Sequence, residues 1–109
     1  QSDISFGVSI LNLESNENGS MIIYPNPADN TFTVGYKFPS SGNVQLNMFD
    51  ETGKKVTSIL TEEYLNGNAV YNYNCSQIPA GNYVVGLEYT SSTGDKKMLL
   101  EKKLIIVKQ

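Results

Sequence analysis

The chain has 109 residues, with 8 Lys against 11 Asp or Glu, no Arg, no His and no Trp, and a formal net charge of −3. A chain of this length holds one domain. Without His it has no Ser-His or Cys-His nucleophile pair and no imidazole metal site, and without Arg it lacks the bidentate fork that suits phosphate or guanine; the acidic balance also argues against a nucleic-acid footprint.

Ile4 to Leu13 alternates loosely and reads as a strand or as the tail of a preceding element. The polar run Glu14 to Ser20 reads as a linker, so residues 1–19 join the domain to something upstream and residues 20–109 form the domain itself. From there, 12 Asn and 9 Gly in the chain punctuate runs of Val, Ile, Tyr, Phe and Thr, the mark of an all-β domain.

Met21 to Tyr24 is the first predicted strand, closed by Pro25-Asn26-Pro27. Thr31 to Phe38 is the second, with Phe32, Val34, Tyr36 and Phe38 on one face and Thr31, Thr33, Gly35 and Lys37 on the other. That period of two predicts one buried and one wet face. Asn43 to Asp50 follows, with Val44, Leu46 and Met48 inward, and Glu51-Thr52-Gly53-Lys54 turns into Lys55 to Tyr64. Asn66-Gly67 predicts a type I′ hairpin returning along Ala69 to Asn74. Asn82 to Ser91 places Tyr83, Val85, Leu87 and Tyr89 together, and Thr93-Gly94-Asp95 turns into the last segment, Lys97 to Lys108. Seven strands at a spacing of roughly 8–12 residues predict an antiparallel, immunoglobulin-like β-sandwich without the Cys…Trp…Cys hallmark of antibody domains.

No catalytic group is expected. Glu62 and Glu63 are adjacent on a strand and point to opposite faces, while Asp50, Glu51 and Asp95 sit in turns, where Asp serves turn geometry. Asp50 to Gly53 lacks the ligand spacing of a calcium loop, and Asp29-Asn30 offers too few oxygens for a metal site, so neither metal nor cofactor is expected. Cys75 is the single cysteine and excludes an intrachain disulfide; it reads as a small apolar filler. The tyrosines share faces with aliphatic residues, which favours packing over a sugar-stacking platform. Asn18-Gly19-Ser20 and Asn74-Cys75-Ser76 match the glycosylation sequon, a pattern that matters only in a eukaryotic secretory context. No apolar run is long enough to span a bilayer. With neither an initiator Met nor a signal peptide at Gln1, the sequence reads as a piece of a longer chain whose export signal lies upstream.

The last strand breaks the pattern. Leu104-Ile105-Ile106-Val107 is apolar on both faces, and so is Met98-Leu99-Leu100. The expectation is an outward apolar patch, either covered by the Ile4–Leu13 segment or a second chain, or free for a partner to dock on by patch or strand edge. Self-association is open on the same ground.

Four segments in series carry a resemblance. Tyr24-Pro25-Asn26-Pro27-Ala28 opens the domain, and Asp50-Glu51-Thr52-Gly53-Lys54-Lys55-Val56 follows the third strand. Ile78-Pro79-Ala80-Gly81-Asn82-Tyr83-Val84-Val85 leads into the sixth, and Lys103-Leu104-Ile105-Ile106-Val107-Lys108 closes the chain. In this order and spacing, residues 20–109 resemble the type A C-terminal sorting domain of the type IX secretion system of gram-negative bacteria. The resemblance implies a targeting module rather than an enzyme. Its partners would be an N-terminal cargo domain of the same polypeptide, the outer-membrane translocon and a sortase-like surface protease that removes the domain. The cargo would cross the periplasm and end on the cell surface, commonly joined to anionic lipopolysaccharide, or be secreted. By position, Lys103, Leu104, Ile105, Ile106, Val107 and Lys108 would be the signal strand. Cleavage would fall near Glu14 to Ser20. Pro25, Asn26, Pro27, Gly53, Gly81 and Tyr83 would be motif and turn positions, with Pro25 and Pro27 fixing φ and Gly81 supplying a conformation other residues resist. The stretch Met98–Lys103 is longer than the resemblance predicts and leaves the register of the last strand open. A second reading is a fibronectin-like or hook-capping-like spacer module of a bacterial surface protein; a third is a carbohydrate-binding module, which would need two coplanar, solvent-facing Tyr.

Overall fold

The computed structural model of the chain describes residues 19–108. The expectations placed on Ile4–Leu13, on residues 14–18 of the linker and on Gln109 lie outside the described residues. Seven strands follow in order: β1 (Ser20–Tyr24), β2 (Thr31–Lys37), β3 (Gly42–Asp50), β4 (Lys55–Tyr64), β5 (Ala69–Asn74), β6 (Gly81–Ser91) and β7 (Lys97–Ile106). They form a three-stranded sheet, β1-β2-β5, and a four-stranded sheet, β4-β3-β6-β7, with every strand pair antiparallel. The expected sandwich is therefore present.

The period-two pattern places the core. Phe32, Val34, Tyr36 and Phe38 of β2 and its end are buried, as are Val44, Leu46 and Met48 of β3 and Tyr83, Val85, Leu87 and Tyr89 of β6. Each fully buried side chain of this size contributes about 1.5–3 kcal/mol. The aromatic residues close one end of the core. Phe38 stacks on Tyr89 with ring centroids 4.1 Å apart and meets Tyr64 edge-on at 5.6 Å. The Tyr64 hydroxyl donates to the Gly67 carbonyl at 2.6 Å and accepts the Phe38 amide at 3.0 Å, so its polar tip is satisfied.

Two turns show what local sequence does and does not decide. After Asp50 the chain reverses through Gly53, whose φ is +90°, and the Asp50 Oδ1 atom accepts the amides of Thr52 and Lys54 and the Thr52 hydroxyl. The Thr52 hydroxyl bond leads in holding this carboxyl below its ordinary value. The expected hairpin at Asn66-Gly67 is corrected. Gly67 has φ +73° as the turn requires, but β4 pairs with β3 and β5 pairs with β2, so this turn carries the chain from one sheet to the other. A two-residue turn signal fixes backbone reversal and leaves the pairing partner to the buried faces. Gly81 is also corrected, since it lies outside the positive-φ glycines and a Cβ there would meet only the Tyr83 ring at ordinary contact distance, 3.5 Å.

Candidate functional site: the terminal strand and its clamp

β7 runs in unbroken register along β6, from Lys97 opposite Thr90 to Ile106 opposite Gly81. Met98–Lys103 and the terminal motif are thus one strand, which settles the open register. Alternation then divides the signal residues. Leu104 and Ile106 are buried at 0% and 1% exposure, whereas Ile105 and Val107 are 43% and 38% exposed. Leu99 lies on the same outward side as Ile105 and is exposed too, while Met98 and Leu100 are half-buried against the core. The outward patch anticipated from the two-sided apolar sequence is present, and Lys103 shares its face.

β7 is the last strand of its sheet, so its outer edge would present unpaired backbone groups, an open template for strand addition. Over residues 103–107 that edge is closed by the segment after β1. The Asn26 amide nitrogen donates to the Lys103 carbonyl at 2.9 Å, and its oxygen accepts the Ile105 amide at 3.0 Å. Ala28 continues the pattern in the backbone, donating to the Ile105 carbonyl and accepting the Val107 amide, both at 2.8 Å. Pro25 and Pro27 have no N–H. The Asn26 side chain therefore supplies a donor that the flanking backbone lacks, and Ala28, fully buried, seats the segment on Ile106 through a parallel bridge.

Lys108 ties down the end of the described chain. Its ammonium donates to the carbonyls of Asp29 and Cys75 at 3.2 Å and of Ser76 at 3.4 Å. Cys75 is buried, and burial pushes its thiol above the ordinary value, outweighing the nearby Lys108 charge. That environment makes the thiol a packing group and a poor nucleophile.

The remaining motif residues converge on the same end of the sandwich. Asp50, just before the Gly53 turn, stands opposite Tyr83, and Tyr83 stands opposite Leu104. Near the start of β6 the Tyr83 hydroxyl donates to the Pro79 carbonyl at 2.6 Å, four residues upstream, an arrangement like the tyrosine corner of immunoglobulin-like sandwiches. Pro25 and Pro27 are exposed beside the Asn26 clamp. Sequence reasoning placed Asn26 among the turn positions and missed its bidentate bond to the last strand. The signal that points to it is the pair of prolines, which leaves the Asn amide to do hydrogen bonding the backbone is unable to do.

A shallow recess on the outer face is lined by Phe49, Asp50, Glu51, Gly53, Val84 and Glu101, but Asp50 Oδ1 is committed to its turn. Among the described residues no cluster of three or more His, Cys, Asp or Glu is placed to hold a metal ion, and no helix is long and apolar enough to cross a membrane. Of the tyrosines, Tyr24 is exposed at 47% and the others are buried or half-buried, so the solvent-facing pair of a carbohydrate platform is not formed among the described residues.

Fold and site together define an immunoglobulin-like β-sandwich whose motif segments gather around a clamped terminal strand. The family model described as secretion system C-terminal sorting domain matches residues 22–106, and the chain belongs to that family. It is a sorting signal of type IX secretion, and cargo sorted in this way is exported to the cell surface or secreted. Among solved structures, the chain is similar to dimeric latent PorU from Porphyromonas gingivalis, with a TM-score of 0.70 and 22% identity over 84% of this chain and 9% of that one. The chain thus spans under a tenth of that protein. It is also similar to the soluble domain of PmoD from Methylocystis sp. ATCC 49242 (Rockwell), with a TM-score of 0.54 and 10% identity over 82% of this chain and 90% of that one. At these identities both likenesses concern the fold. No curated protein matches the chain.

Proposed function

We propose that residues 103–108 are the part of the sorting domain engaged by the outer-membrane translocon, and that the domain accompanies an N-terminal cargo through the periplasm without catalytic activity of its own. A sortase-like surface protease then removes it near residues 14–20. The observation that supports this reading is the outward exposure of Ile105 and Val107 on a strand whose alternate residues, Leu104 and Ile106, are fully buried. Two β-branched apolar side chains facing water add nothing to the core, and an exposed apolar patch at a site of this kind suits a docking partner. Leu104 and Ile106 hold the strand, and Lys103 completes the outward row.

The test is surface delivery of a periplasmic reporter fused ahead of the full chain in a type IX-competent strain. Ile105→Ser with Val107→Ser should keep the melting temperature near that of the parent and strand the reporter in the periplasm. A folded double variant delivered to the surface as well as the parent removes the assignment of this face. A parent fusion retained in the envelope gives way to the spacer reading.

A further inference from the structure

The clamp on the terminal strand has a consequence for how the signal can be read. Backbone groups at a sheet edge are recognised by adding a strand, and this requires free N–H and C=O groups in line. Between the Lys103 carbonyl and the Val107 amide the outer edge has no free group in line: the Lys103 carbonyl and Ile105 amide are held by Asn26, and the Ile105 carbonyl and Val107 amide by Ala28. Recognition there falls to side chains. Which side chains face outward depends on register, because a slip of one residue would bring Leu104 and Ile106 out and turn Lys103, Ile105 and Val107 in.

We propose that the sorting signal is a composite of two segments far apart in the chain, in which Asn26 is a positioning residue that fixes the register of residues 103–107 and closes their edge to strand addition. This rests on the sorting role proposed for residues 103–108. Asn26 reaches a strand 79 positions away through its side chain alone. One planar amide offers one donor and one acceptor, and these match a carbonyl at position 103 and an amide at 105 on the same edge. Asp keeps the acceptor and lacks the donor, and Ala has neither. On the far side of the clamp, the Lys108 ammonium occupies three carbonyls, so the strand is tied at both ends of its exposed pair. The partner that fits is one with pockets for two β-branched side chains two residues apart beside a lysine, and with no strand edge to contribute.

The experiment compares Asn26→Ala, Asn26→Asp and a mild core variant, Ile59→Val, in the full-chain reporter fusion, together with amide hydrogen exchange of the isolated chain. Ile59 is buried and remote from the clamp in sequence, and Ile→Val serves as a control for stability loss alone. In Asn26→Ala the Ile105 amide should exchange about tenfold faster or more, and surface delivery should be lost while the chain remains folded. Asn26→Asp, which keeps the bond to the Ile105 amide, should fall between Asn26→Ala and the parent in both readouts, and Ile59→Val should be delivered like the parent. Unchanged exchange at Ile105 in Asn26→Ala overturns the clamp. Full delivery of Asn26→Ala, or delivery that tracks melting temperature across all three variants, overturns the positioning role. Retention of the parent fusion sinks the sorting role of residues 103–108 and this inference with it.

Discussion

The Tyr36 hydroxyl donates to the Glu62 carboxylate at 2.6 Å and so joins the two sheets, Tyr36 standing on β2 and Glu62 on β4. The Tyr36 ring is buried among the aromatic residues at one end of the core. Burial first, and then the bonded carboxylate, push its phenol above the ordinary 10.0. The folded chain therefore holds this proton more tightly than the unfolded chain does. The resulting stability is fully present below the unfolded value and is lost as pH rises toward the folded one. Thermal melts of the parent should fall as pH passes about 10, and Tyr36→Phe should flatten that fall. Parallel curves for the two chains would show that Tyr36 does not couple to alkaline stability. At neutral pH the lost bond should cost at most about 0.5–1.5 kcal/mol, toward the lower end because Glu62 is open to water.

Tyr83→Phe removes only the hydroxyl that bonds to Pro79. The expected loss is about 1 kcal/mol, which for a domain of this size lowers the melting temperature by roughly 4–8 °C. An unchanged melt would mean that water satisfies the Pro79 carbonyl equally well and that the corner adds no stability.

Leu104 and Ile105 are neighbours with opposite fates. Truncating Leu104, at 0% exposure, should cost about 2–5 kcal/mol in a urea melt, a large share of the roughly 5–15 kcal/mol available to a domain. Truncating Ile105 to Ala should cost about 1 kcal/mol or less, the scale of strand propensity on a wet face. Equal losses would place Ile105 in the core and end its assignment to the outward face.

Gly42 is required by close approach. A Cβ there would lie 2.2 Å from the Thr90 carbonyl oxygen and 2.8 Å from the Tyr89 ring. Gly42→Ala should destabilise by about 1–3 kcal/mol, the range for inserted atoms that force backbone movement, and circular dichroism with a urea titration reads the change. A variant as stable as the parent would show that β3 and β6 can separate at this point without loss.

Much of the sandwich is legible in the sequence because its causes are local. The run Phe32, Val34, Tyr36, Phe38 declares a buried face through alternation alone, and the Asp50–Lys54 turn declares itself through Asp and Gly. Asn66-Gly67 shows the limit. The turn forms, yet the strands on either side of it join different sheets, since pairing is decided by which apolar faces meet across the core. The double apolar character of residues 104–107 was legible as a two-sided strand, but which side faces water was not. Two registers one residue apart present equally apolar faces, and pairing with β6 on one edge together with the Asn26 bonds on the other selects between them.

By itself, then, the sequence determined the seven strands of the described residues, the inward faces of β2, β3 and β6 and the motif series, because side-chain alternation and turn chemistry act over a few residues. The tertiary structure alone decided that Asn26 stands beside Ile105, that Lys108 reaches the carbonyls of Asp29, Cys75 and Ser76, and that the four motif segments share one end of the sandwich. Those contacts join residues tens of positions apart. They exist only once the buried faces of both sheets have fixed where each strand lies, and no local pattern encodes that distance.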